Sequence, residues 1–144
     1  MRYPVILAGN PPPHVSVLTV TFPDVHEAIT QGDGETDALD KAADALVCAL
    51  GTYMDRRLAI PQPSAATPGQ PIVALPALTV AKLALYEAMR IGRVNAVELG
   101  KRLGISDTAA RRLPDLDHRS HIAQVESALA VLGKRLVVDV RDAA

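Results

Sequence analysis

The chain has 144 residues, 49% of them apolar and 22% charged, with three tyrosines, one phenylalanine and no tryptophan; this suits one ordinary domain or two small ones with aliphatic cores and excludes a disordered tail. Cys48 is the only cysteine, which excludes an internal disulfide and a cysteine zinc cluster, no apolar run approaches the ~20 residues of a membrane span, and the start MRYPVILAG lacks a secretory layout, so the cytoplasm is expected. The net charge of −1 conceals two unlike halves: residues 1–64 carry four basic groups against eight acidic, whereas residues 65–144, densest in positive charge between Lys82 and Arg112, carry eleven against eight. An acidic first half suits a basic protein partner, and a basic second half suits nucleic acid.

Arg2 to Ala8 (RYPVILA) predicts a strand with Pro4 near its start, and the cluster Gly9 to Pro13 predicts a turn. His14 to Phe22 (HVSVLTVTF) predicts a second strand and a hairpin with the first, placing Leu18, Val20 and Phe22 on one face and Val15 and Val17 on the other. Pro23-Asp24 breaks the hairpin, and Glu27 to Gln31 predicts a short third strand closed by Gly32-Asp33-Gly34. From Glu35 to Leu58 the period changes to that of a long helix, with Leu39, Ala43, Leu46, Leu50 and Tyr53 inward and Asp37, Asp40, Lys41, Asp44 and Asp55 mostly outward. Cys48 stands among alanines and leucines, which predicts packing rather than chemistry. Pro61 to Pro71 (PQPSAATPGQP) is too stiff and polar for a core and reads as a linker or exposed loop, and Ile72 to Leu75 reads as a strand returning to the first sheet.

Leu78 to Ile91 predicts a helix leading into Val94 to Leu113 (VNAVELGKRLGISDTAARRL), which spells a helix-turn-helix. Asn95 and Glu98 form a capping box, Val94 and Leu99 a hydrophobic staple, Gly104 supplies the left-handed stop, and Ser106 caps the second helix. Leu99, Leu103, Ile105, Ala110 and Leu113 would be buried, with Gly100 allowing a close crossing of the second helix. The outward side would carry Ser106, Asp107, Thr108, Arg111 and Arg112, a set suited to a DNA major groove, where arginine pairs with guanine and threonine touches phosphate or a thymine methyl. Ala110 is small for its position and Pro114 ends the second helix after about two turns; the competing reading is an ordinary helical hairpin with Arg111 and Arg112 on a solvated face. Ser120 then predicts the cap of a helix whose Ile122, Val125, Leu129 and Leu132 form a stripe ended by Gly133. Arg135 to Arg141 (RLVVDVR) has the period of a strand without a partner in its own half, which predicts pairing with a second copy or addition to a neighbouring sheet.

Catalytic readings fare poorly. His14, His26, His118 and His121 lack a carboxylate or cysteine at ligand spacing, and Ser64 lies in a proline loop, so no catalytic residue, metal or cofactor is expected.

RYPVIL, TFPDVHEAITQGD at Thr21 to Asp33, ALDKAADALVCAL at Ala38 to Leu50 and IPQPS at Ile60 to Ser64 resemble the HicB antitoxins. LTVAKLALYEAMR at Leu78 to Arg90, the helix-turn-helix and LGKRLVVDVR at Leu132 to Arg141 are similar to the helix-turn-helix branch of that family. The resemblance implies an α+β chain. Residues 1–76 would form a degenerate ribonuclease H-like βββαβ domain that includes the 61–71 loop and binds a toxin. Residues 77–144 would form a helix-turn-helix domain for DNA binding and dimerisation, with a C-terminal strand. It further implies masking of a small basic ribonuclease toxin, HicA, and repression of the shared promoter, with no nuclease activity; Tyr3 to Ala8 indeed offers no carboxylate for such a metal centre. The toxin-facing surface would then include Phe22, Pro23, Asp24, Gln31 and Asp33, against a competing role for the first two in core and turn and for the aspartates in loop capping. Expected partners are the HicA-like toxin, operator duplex DNA and the chain itself, as dimer or tetramer, with no membrane. The alternative is a one-component transcriptional regulator whose first domain senses a small molecule in an apolar pocket.

Overall fold

Pro4 has no N–H to give to a ladder, and beside it the expected first strand divides its allegiance between two sheets. The computed structural model describes residues 1–13 and 16–142, so the expected placements of His14 and Val15 lie outside the described residues. Contacts separate the chain into Met1–Leu75 and Pro76–Ala144. The first unit contains β1 (Arg2–Pro4), β2 (Ile6–Gly9), β3 (Val17–Thr21), β4 (Ile29–Asp33), α1 (Gly34–Asp55) and β5 (Ile72–Ala74); the second contains α2 (Ala77–Gly92), α3 (Ala96–Leu103), α4 (Asp107–Arg112) and α5 (Ile122–Val131). The architecture is mixed α+β, with small antiparallel sheets and five helices among the described residues.

β1 pairs antiparallel with β5, Arg2 opposite Ala74 and Pro4 opposite Ile72, and the N–H of Val5 donates to Pro71 O at 3.0 Å. One residue later the chain changes partner: β2 pairs with β3, Ile6 opposite Thr21, and β3 pairs with β4, Thr21 opposite Ile29. β4 begins two residues beyond the expected Glu27 start. Val25 and Ala28 are buried and donate to Phe22 O and Val25 O at 3.2 and 3.1 Å, which holds the intervening residues in turns.

α1 starts directly from β4. Its Asp33 cap makes no side-chain bond; instead Asp37 Oδ2 accepts from the Asp33 N–H at 2.8 Å. The buried stripe is Ala38, Ala42, Leu46, Ala49 and Leu50, so the first half of the helix is rotated one residue from the expected Leu39 and Ala43. The cause is Gly32: a Cβ there would sit 2.3 Å from Ala38 Cα, so helix backbone lies directly on strand backbone and only alanines fit. Cys48 is exposed, not packed as expected. The helix ends at Asp55, three residues before the expected Leu58, because Arg57 adopts a left-handed φ of 58° and the N–H of Leu58 turns back to Tyr53 O.

The proline-rich segment is a docked loop of the first unit. Tyr3 donates its hydroxyl to Pro61 O at 2.6 Å, Ser64 is held by Asp24, and Gln70 Nε2 donates to Val5 O at 3.4 Å. Tyr3, Val5, Val20, Phe22, Val25, Leu46 and Leu50 form the buried interior beneath it.

In the second unit the interior is Ala81, Leu85, Val94, Leu99, Ala110, Leu113, Val125, Ala128 and Leu129. Residues 134–142 carry no regular secondary structure in the single chain; Leu136 rests on the core, while Val137, Val138 and Val140 are exposed. No helix is long and apolar enough to cross a membrane among the described residues.

Candidate functional site

The local chemistry of α3 and α4 follows the sequence closely. Asn95 Oδ1 accepts from the Glu98 N–H at 2.9 Å, and Ser106 Oγ accepts from the Ala109 N–H at 3.1 Å. The capping box is only half made, because the Glu98 carboxylate turns to Arg102 Nε at 3.0 Å. Gly104 takes φ 70° and the Ile105 N–H donates to Gly100 O at 2.9 Å, closing the turn. A Cβ at Gly100 would meet Ile105 O at 2.8 Å and Ser106 O at 3.2 Å, so the close approach is to the turn and to the capping residue that starts α4. That same turn leaves Ile105 on the surface, 39% exposed, which corrects its expected burial; Leu99, Ala110 and Leu113 are buried and Leu103 partly so.

α4 is six residues long and ends at Arg112, with Pro114 two positions on. Ser106, Asp107, Thr108, Arg111 and Arg112 are all exposed. Arg111 Nη2 lies 3.8 Å from Asp107 Oδ2 with both side chains mostly in water, an ion pair worth little and easily exchanged for another anion. Lys101 and Arg102 add exposed positive charge on α3.

Lys82 does not belong to this basic surface, although its position in the sequence suggested so. It is 1% exposed, and its Nζ donates to Arg112 O (3.2 Å), Asp115 O (2.6 Å) and Ser120 Oγ (2.9 Å). Burial pushes its ammonium below the ordinary lysine range, opposed by the nearby Asp115 charge. Ser120 is consequently not the cap of α5; His121 occupies that position without a side-chain bond. His118 Nδ1 lies 3.2 Å from Ser120 Oγ, and both line a cleft of about 380 Å³ with Leu103, Ile105, Ala109, Arg112, Leu113, Gln124 and Ser127. The signal for Lys82 was its spacing: it falls on the same stripe as Leu78, Leu85 and Met89, all buried or packed against the core.

In the first unit, register sets Ile6, Thr21 and Ile29 in one row across the sheet and Ala8, Thr19 and Gln31 in the next. Val20, on the opposite face, is buried, whereas Ile6 and Ile29 are 51% and 61% exposed. Gln31 Nε2 donates to Thr19 Oγ1 at 3.1 Å, and Thr19 Oγ1 to Asn10 Oδ1 at 3.3 Å, a polar cross-strand row beside an apolar one. Asp33 is exposed at the end of edge strand β4. Of the other residues singled out in this half, Phe22 is buried and Pro23 exposed, and Asp24 Oδ2 accepts from both the N–H and the hydroxyl of Ser64. Among the described residues no group of three or more histidine, cysteine or acidic side chains is placed to hold a metal ion.

Residues 3–84 match a family model described as the HicB-like antitoxin of bacterial toxin-antitoxin systems. The chain is 38% identical over 136 residues to Antitoxin HicB 2 of Photorhabdus laumondii, covering 94% of each. It is 39% identical over 123 residues to Antitoxin HicB of Pseudomonas fluorescens, covering 85% of this chain and 82% of the relative. With Antitoxin HicB of Escherichia coli K12 it shares 34% identity over 136 residues, 94% of this chain and 96% of the relative.

Proposed function

This chain belongs to the HicB-like antitoxin family of bacterial toxin-antitoxin systems, and from that premise we propose that it masks a small basic HicA-like ribonuclease with its first unit and represses their shared operon with its second. The observation that carries the proposal is the contrast between two exposed surfaces on separate units, an apolar sheet face with Asp33 at its edge and a basic helical one.

For the toxin we propose the outer face of the β2-β3-β4 sheet. Ile6 and Ile29 supply desolvated contact, Gln31 and Asp33 supply hydrogen bonding and charge, and the acidic balance of residues 1–64 steers a cationic protein toward them. Phe22 and Asp24 then act from behind, by fixing the core and the proline loop, with Pro23 exposed in the turn between them. The order of elements, counting Arg2–Gly9 as one interrupted strand, is compatible with a degenerate ribonuclease H-like βββαβ domain.

For DNA we propose that α3 and α4 act as a helix-turn-helix, α4 entering the major groove with Arg111 and Arg112 toward base edges and Thr108 and the capped start toward phosphate. Two copies would present two such helices ~34 Å apart on a near-palindromic operator, joined through the exposed tail around Val138 and Val140. The role is binding and repression in the cytoplasm, not catalysis.

Co-expression with the neighbouring small basic gene product tests both arms. A stable complex that no longer cleaves RNA and that shifts duplex DNA from its own upstream region is the expected result. A chain that leaves cleavage undiminished removes the antitoxin arm; failure to bind that duplex, alone or in complex, removes the repressor arm.

A further inference from the structure

Lys82 is the single buried charged residue among the described ones, and no carboxylate accepts a hydrogen bond from its Nζ. All three ammonium protons are used by neutral oxygens: the last carbonyl of α4, a carbonyl three residues later, and the hydroxyl that begins the approach to α5. A methionine of similar length would fill the same space without the desolvation cost of a charge, so packing alone does not require a lysine here. What the ammonium does provide is three directional bonds from one rigid point on α2 to residues 112, 115 and 120. Those residues bracket the segment by which the short α4 is attached. Pro114 cannot continue the helix; the Arg112 carbonyl accepts from the Asp115 N–H at 3.2 Å, which closes a turn, and Lys82 adds a second donor to the same oxygen, tying that turn to α2. Ser120 completes the bracket, with its Oγ 3.5 Å from Arg112 O as well.

We propose that Lys82 is a positioning residue for DNA recognition: it fixes the exit of α4, and hence the backbone from which Arg111 and Arg112 project, without itself touching DNA. The inference rests on the reading of α4 as the recognition helix. It distinguishes one lysine in a basic half from the rest: the exposed cations contribute charge, and Lys82 contributes geometry.

The test uses the full chain and duplex DNA from its own upstream region, with Kd measured against salt concentration after stoichiometric titration of the active fraction. Lys82→Met is expected to weaken binding about tenfold, and Ser120→Ala severalfold, with the slope of log K against log salt unchanged in both. A lysine that neutralised a phosphate would, on removal, lower that slope by about one. A reduced slope for Lys82→Met, or wild-type affinity for both variants, overturns the inference. If Lys82→Met fails to fold, Ser120→Ala decides it: weakened binding at constant slope supports, wild-type binding overturns. If the wild-type chain itself ignores the duplex, it is the DNA-binding reading that has failed, and this inference falls with it.

Discussion

Asp24 and Ser64, forty residues apart, are joined twice: one carboxylate oxygen accepts from the serine N–H at 2.9 Å and from its hydroxyl at 3.0 Å. The pair converts a proline-rich stretch into a fixed wall of the first unit. Asp24→Ala removes both bonds and is expected to cost about 1–2 kcal/mol. A lower urea midpoint and faster exchange of the Ser64 amide are the expected signs; an unchanged exchange rate would mean that the loop is held by Tyr3 and Gln70 alone.

Gly32→Ala is expected to be among the most damaging single methyl additions in the chain. The new Cβ would sit 2.3 Å from the backbone of Ala38, with no flexible side chain to yield, and a loss of about 3 kcal/mol follows from overpacking. Gly51→Ala, within α1 and with open space around its Cβ, is the control and is expected to raise stability by about 0.5–1 kcal/mol. Thermal unfolding of both variants measures the contrast.

Tyr3 gives the first unit an alkaline limit. Burial, aided by the Asp24 charge, pushes its hydroxyl from 10.0 up to about 12. The folded state therefore favours the neutral phenol, a contribution fully present below pH 10 and lost as the pH rises through about 12. Tyr3→Phe removes the 2.6 Å bond to Pro61 O, lowers stability at neutral pH by about 1–2 kcal/mol and flattens the decline between pH 10 and 12 relative to the wild type. Equal declines in the two proteins would assign that titration to other groups.

Arg111→Ala is expected to weaken operator binding by about 1–3 kcal/mol while leaving toxin affinity intact, since the side chain is exposed on the second unit and engages only Asp107 weakly. Gel shift and toxin titration on the same preparation separate the effects. Loss of toxin masking with intact DNA binding would reverse the proposed roles of the two halves.

Truncation after Gly133 is expected to yield a monomer with sharply reduced operator affinity. Val138 and Val140 share one side of the segment and are 61% and 90% exposed, and Val137, out of that alternation, is 79% exposed, apolar surface that the proposed second copy would cover. Light scattering and gel shift together check it; an unchanged oligomer would place the contact elsewhere.

Much of this was written in short-range chemistry. Asn95, Gly104 and Ser106 each act within four residues of themselves, and their geometry was readable without any tertiary knowledge. The helices Ala77–Gly92 and Gly34–Asp55 were legible from periodicity; the strand at Ile72 was legible too, but not its place, since it joins β1 in a two-stranded sheet apart from β2-β3-β4. What escaped was set by distant partners. Periodicity could not reveal that Gly32 would bring α1 onto its alanines, nor that Ser120 would serve Lys82 in place of its own helix. Glu98 likewise had two equivalent claims on it, the backbone behind and Arg102 ahead, and composition does not choose between them. Cys48 stands two residues from both Leu46 and Leu50, which are buried as expected, so the helical period turns it away from the core whatever its neighbours in sequence.

The pairing of β1 with β5 joins residues 2–4 to residues 72–74 by only three residue pairs, whereas β3, β4 and α1 are consecutive in the chain and pack on one another. Closing a long loop brings a high entropic toll for so small a clasp. During synthesis this clasp would be the final seam to fasten, after residues 17–55 had already organised, and under thermal stress it would be the first to part. Its parting releases the Val5–Pro71 bond while Asp24 still holds Ser64, so proteolytic cutting is expected earliest between residues 65 and 76, where one cut would part the proposed toxin-binding unit from the proposed DNA-binding unit.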